Sequence, residues 1–78
     1  MTPQDPDDRA ARLGDDLKLA FRALASPDVA EDRRPDWHRR LIAITNSAKH
    51  DVATAEGRMA RWWADFEAEV GPRPHAGD

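Results

Sequence analysis

Between Trp37 and Val70 the large apolar side chains recur at the period of an α-helix. Counted at about 100° per residue, Trp37, Leu41, Ile44, Ala48, Val52, Ala55, Met59, Trp62, Phe66 and Val70 share an arc of about 80°. Trp63 sits at its edge; Lys49, His50, Asp51, Arg58, Arg61 and Asp65 lie outside it. From Leu41 onward the steps are threes and fours with a mean near 3.6, the period of a straight helix rather than of a heptad. The pattern predicts straight-helix packing in a bundle, not a long coiled coil. Because the stripe keeps its phase throughout, one continuous helix over about residues 36–70 is expected. The alternative is a break near Asn46, where Thr45, Asn46 and Ser47 offer the backbone local hydrogen bonds. Gly71 followed by Pro72 closes the helix, and residues 72–78 are expected to be a disordered tail.

A second, shorter helix precedes it. After a disordered stretch over residues 1–5, Asp5 can cap, Pro6 suits a first helical position, and Asp7 and Asp8 complement the positive end of the helix dipole. Helix is expected over about residues 6–25, with Ala10, Leu13, Leu17, Ala20, Phe21 and Leu24 on one side. Asp8, Arg12 and Asp16 alternate in charge one turn apart. Gly14 costs the middle of this helix about 1 kcal/mol relative to alanine; it is a tolerated glycine or marks a close helix contact. Residues 26–36 form the connection, in which Ser26-Pro27 suits a single turn, and Pro35 with Asp36 opens the long helix.

Length then decides the architecture. The first helix spans roughly 28 Å and the second roughly 52 Å at 1.5 Å per residue. Folded back as an antiparallel hairpin, the short helix stops before Trp62. Composition sharpens the problem: Leu, Ile, Val and Phe number only 12, against 14 alanines and three tryptophans, so the chain is rich in helix and poor in core. The predicted fold is therefore all-α: an antiparallel helical hairpin of one short and one long helix, completed as a bundle by oligomerisation. Trp37, Met59, Trp62, Trp63, Phe66 and Val70 are the candidate protein interface. Leu19 and Ile42, off their stripes, are ordinary exposed side chains or part of a second contact.

The function this predicts is a small protein–protein interaction module. It self-associates as a dimer or higher homo-oligomer, or docks on a larger protein as an accessory or regulatory subunit. The alternative is a small nucleic-acid-associated regulator. Arg33, Arg34, Arg39 and Arg40 gather around Trp37 and His38, and arginines at a helix N-terminus oppose the dipole. A net charge of -3 gives the chain as a whole no pull towards polyanions.

Catalysis has little to stand on. There is no glycine-rich phosphate loop, HExxH, CxxC or serine elbow, and no cysteine. His38 and His50 are poorly phased for one metal site, and His75 falls in the tail. Asp51, beside the stripe, is the best acid–base candidate; its simpler reading is a flanking charge. The expectation is no enzyme, no cofactor and no metal. The acidic N-terminus is unlike a signal peptide, no run is long enough to span a bilayer, and Asp65, Glu67 and Glu69 disfavour an anionic membrane surface. A cytoplasmic location fits these features.

Overall fold

The computed structural model describes residues 6–72. It contains three helices: α1 (Pro6–Ala23), α2 (Arg34–Ala48) and α3 (Val52–Glu69). The expectations of disorder over residues 1–5 and of a frayed tail beyond Pro72, and the Asp5 cap, lie outside the described residues. Pairings across the bundle give the direction of each helix. Arg33 meets Glu69 and Arg40 meets Asp65, so α2 and α3 are antiparallel. Arg9 meets Glu56 and Asp16 meets Trp63, both 47 positions apart, so α1 and α3 run parallel.

The two-helix hairpin is therefore wrong. The chain closes its own bundle and does not require oligomerisation to cover its aromatic end. The error lies at residues 49–51, where the long helix turns back on itself. Within α2, Thr45 donates its hydroxyl to the Leu41 carbonyl. The ladder continues to Asp51, whose amide donates to Ser47 at 2.7 Å. Asp51 then turns extended, at φ -152° and ψ 93°, and caps α3. Its carboxylate accepts from the Thr54 amide at 3.1 Å and the Thr54 hydroxyl at 2.8 Å.

Magnitudes explain why the turn wins. Interrupting the ladder forgoes at most a few backbone hydrogen bonds, each worth about 1 kcal/mol net. Folding back buries Trp62, Trp63 and Phe66 completely. Each ring removes about 150–250 Å² from water, worth several kcal/mol at about 25 cal/mol per Å². A kept phase does not require a continuous helix: two arcs of about 80° overlap by chance a little under one time in two.

Each helix of a three-helix bundle faces two neighbours, which accounts for the breadth of the aromatic arc on α3. Trp62 and Phe66 face α2, where Trp37 meets them edge-on at 5.5 and 5.7 Å between ring centroids. Trp63 turns to α1 and donates its indole N–H to Asp16 at 2.9 Å. The core adds Leu13, Leu17, Ala20 and Leu24 from α1 and Leu41 and Ile44 from α2. Val29, in the connection, is also buried in it. Helix α2 starts at Arg34, earlier than expected, with Pro35 in its first turn and Asp36 behind it rather than capping. Helix α3 ends where expected. The Val70 and Gly71 amides both turn back to the Phe66 carbonyl, and Gly71 takes φ +135°, a conformation that favours glycine.

Candidate functional site

Of the residues read as an interface, Trp37, Met59, Trp62, Trp63 and Phe66 all lie inside this chain's own core. Trp62 stacks on Phe66 at 5.0 Å and donates its indole N–H to the Trp37 carbonyl at 3.3 Å. Val70 is half-buried beside them. Leu19 is also partly buried against the core, whereas Ile42 is exposed.

The four arginines at the start of α2 do not form one surface. Arg34 is consumed by the fold: its Nε donates to the Leu24 carbonyl at 2.8 Å, and Nη2 to the Ser26 and Val29 carbonyls at 3.3 Å each. It thereby satisfies carbonyls freed where α1 ends. Arg33 and Arg40 reach to α3. Arg33 grips both oxygens of Glu69, at 3.0 and 3.1 Å, and also bonds Asp36; Arg40 bonds Asp65 at 2.8 Å. Both guanidinium groups lie over the Trp37 ring, 5.4 and 5.2 Å from its centroid. Arg39 points away, with Asp36 its nearest carboxylate at 3.6 Å.

These pairings set the titration behaviour. The Arg33 hydrogen bond and charge hold Glu69 below the ordinary carboxyl range, and Arg9 does the same to Glu56. Arg33 and Arg9 are raised in turn by the same partners. Asp51 is lowered by the Thr54 amide and then the Thr54 hydroxyl, so the acid–base candidate of the sequence is a helix cap held ionised. His38 is exposed, with its ring edge-on to Phe21 at 5.5 Å, and His50 is exposed in the α2–α3 turn. Among the described residues, no three His, Asp or Glu side chains gather to hold a metal ion. No described helix is long and apolar enough to cross a membrane.

Hollows lie along every seam of the bundle, of about 280 and 420 Å³ on the α1–α3 side and about 180 and 350 Å³ on the α2–α3 side. Between α1 and α2 runs a groove of about 600 Å³, lined by Phe21, Leu24, Ala25, Pro35 and His38, with Glu31 and Arg34 at its end. Ile42, 43% exposed, follows His38 one turn along the same edge of α2. On α1, Gly14 lies within about 20° of Phe21 around the helix axis. A methyl group placed on Gly14 would meet nothing within 4 Å. The sequence marks each of these residues singly, Phe21 as core, Ile42 as off-stripe and Gly14 as a weak point. Their assembly depends on α2 being a separate helix beside α1. Comparisons with protein-family models, with curated proteins and with solved structures return no match.

Proposed function

We propose that this small all-helical domain acts by binding another protein, which docks on the groove between α1 and α2. The observation that carries the reading is the contrast in filling. The contacts of α3 are made by aromatic rings packed on one another, with hollows of about 180–420 Å³ beside them, while the α1–α2 seam carries a partly apolar groove of about 600 Å³ lined by Phe21 and His38, with Ile42 exposed one turn along the same edge of α2. A groove between two helices suits an amphipathic segment of a partner, whose apolar face it would cover.

Catalysis is not part of this reading. The shifted carboxyls, Asp51, Glu56 and Glu69, are all held ionised, and the shifted arginines are held protonated. Acid–base chemistry near neutral pH needs the reverse, a carboxyl raised towards 7.

The test is site-specific photo-crosslinking in the cells that make the protein. A benzophenone side chain at Ile42 is expected to capture a discrete partner. The same group at Arg61, exposed on α3, is expected to capture none. Equal labelling from both positions, or capture that survives Phe21→Ala, would remove the groove as the docking site.

A further inference from the structure

We propose that the corner where α2 begins and α3 ends is a binding site for an external carboxylate, with Glu69 as its exchangeable internal occupant. The inference is independent of the α1–α2 groove. The corner is a hollow of about 350 Å³ lined by Arg33, Trp37, Arg40, Asp65, Ala68 and Glu69. Trp37 is 1% exposed, and its indole N–H is buried with no hydrogen-bond partner. That donor faces the Glu69 carboxyl closely enough to help lower its pKa, without closing to a hydrogen bond. A buried donor that stops short of its acceptor marks a seat built for an oxyanion and incompletely filled.

The rest of the seat has the shape of a carboxylate receptor. Arg33 presents Nε and Nη2 as a fork, gripping the two Glu69 oxygens at 3.0 and 3.1 Å. Arg40 adds a second cation over the same indole ring. Both members of the Arg33–Glu69 pair stand at the wrong helix end. Arg33 is the N-cap of α2, at the positive pole, and Glu69 is the last residue of α3, at the negative pole. An external carboxylate placed at the α2 N-terminus satisfies the same fork. Glu69 stands at the end of α3 with its side chain 43% exposed, so its exchange for an external carboxylate costs the Arg33 pair and no core contact. Asp36 on Arg33 and Asp65 on Arg40 keep the corner near neutrality, so an anion enters by exchange with Glu69 rather than by bulk attraction.

The ligand is a carboxylate, from a small acid or from the end of a peptide. Acetate, and a short peptide with a free or amidated C-terminus, separate the two sources. The readout is the Trp37 indole N–H resonance in a 15N-labelled full chain. Acetate is expected to shift it downfield saturably. Glu69→Gln removes the internal competitor and is expected to tighten that response by about tenfold, as for a site freed from an occupied state. Arg33→Gln is expected to abolish it. Should that variant not fold, Arg33→Lys keeps the charge, loses the fork and is expected to weaken binding. Tighter binding by the free-ended peptide than by acetate or the amide assigns a peptide source; equal binding by acetate assigns a small acid. No saturable shift in Glu69→Gln, an unchanged response in the Arg33 variants, or stronger binding of inorganic phosphate than of acetate would overturn the assignment.

Discussion

The two sides of α2 do different work. Towards α3 it makes two kinds of contact, aromatic packing of Trp37 against Trp62 and Phe66, and the ion pairs Arg33–Glu69 and Arg40–Asp65 at the surface. Towards α1 it carries Phe21 edge-on to His38, then Ile42, with no ion pair between the two helices among the described residues. A chain this poor in large aliphatics cannot fill every seam to the same density. Its three tryptophans all went to the contacts of α3, which makes α3 the keystone of the fold and leaves the α1–α2 face available.

The largest effect is expected on the α3 side. Trp62 is fully buried between Trp37, Trp63 and Phe66. Trp62→Ala removes about 3–5 kcal/mol. A domain of this size holds only on the order of 4–12 kcal/mol in total, so the variant is expected to be largely unfolded at 37 °C. Phe21→Ala, truncating an aromatic on the α1–α2 side where the ring is only partly buried, is expected to stay folded. Thermal melts followed by circular dichroism compare the two. Equal losses would mean that the seams are not unequal after all.

A smaller effect separates the ion pairs of α3 from the rest. Glu56 and Glu69 have carboxyl pKa values below those of an unfolded chain, because Arg9 and Arg33 bond their ionised forms. The sign follows: the unfolded state binds protons first as pH falls. Their contribution is complete above about pH 4.5 and is lost as pH drops through the depressed folded values. Urea midpoints at pH 7, 5 and 3 should therefore be nearly level between the first two and fall towards the third. A Glu56→Gln/Glu69→Gln double variant should show a shallower fall. Parallel curves would remove these pairs from the account. The partner arginines stay protonated across this range and add no slope of their own.

How much of this was legible in the sequence differs between the two sides. The members of the apolar stripe were, because burial leaves a period: Trp37, Leu41, Ile44, Ala55, Met59, Trp62 and Phe66 are all core. So was the end of α3, because Gly71 and Pro72 carry specific backbone preferences. The turn after Ala48 was weakly written. It uses no glycine or proline, and its decisive device, Asp51 capping Thr54, is a pairing that also occurs by chance in any polar helix. Everything that depends on this turn is equally hidden in the sequence: Trp63 reaching Asp16, Arg33 and Arg40 turning to α3, and the α1–α2 groove. The arginine cluster shows the same limit. Proximity along the chain was visible, but not that Arg34 would spend its donors on the carbonyls of Leu24, Ser26 and Val29.

The smallest effect is the most specific to the α1–α2 side. Gly14 sits within α1, where it weakens the helix, and an added methyl group would meet nothing within 4 Å. Gly57, exposed on α3, is open in the same way. Neither glycine is required by this chain's own packing. Gly14→Ala and Gly57→Ala are each expected to stabilise the domain by about 0.5–1 kcal/mol. That corresponds to a rise of about 3–6 °C in Tm for a chain of this length. The two should part company once a partner is present. Gly14 shares the Phe21 side of α1, so its methyl group intrudes where a docked segment approaches, whereas Gly57 lies on the far side of α3 from its buried residues. Crosslinking yield from position 42 is then expected to fall in Gly14→Ala and to stay unchanged in Gly57→Ala. If both variants are stabilised and neither changes the yield, Gly14 is a tolerated weakness of α1, and a docked segment does not reach this turn of the helix.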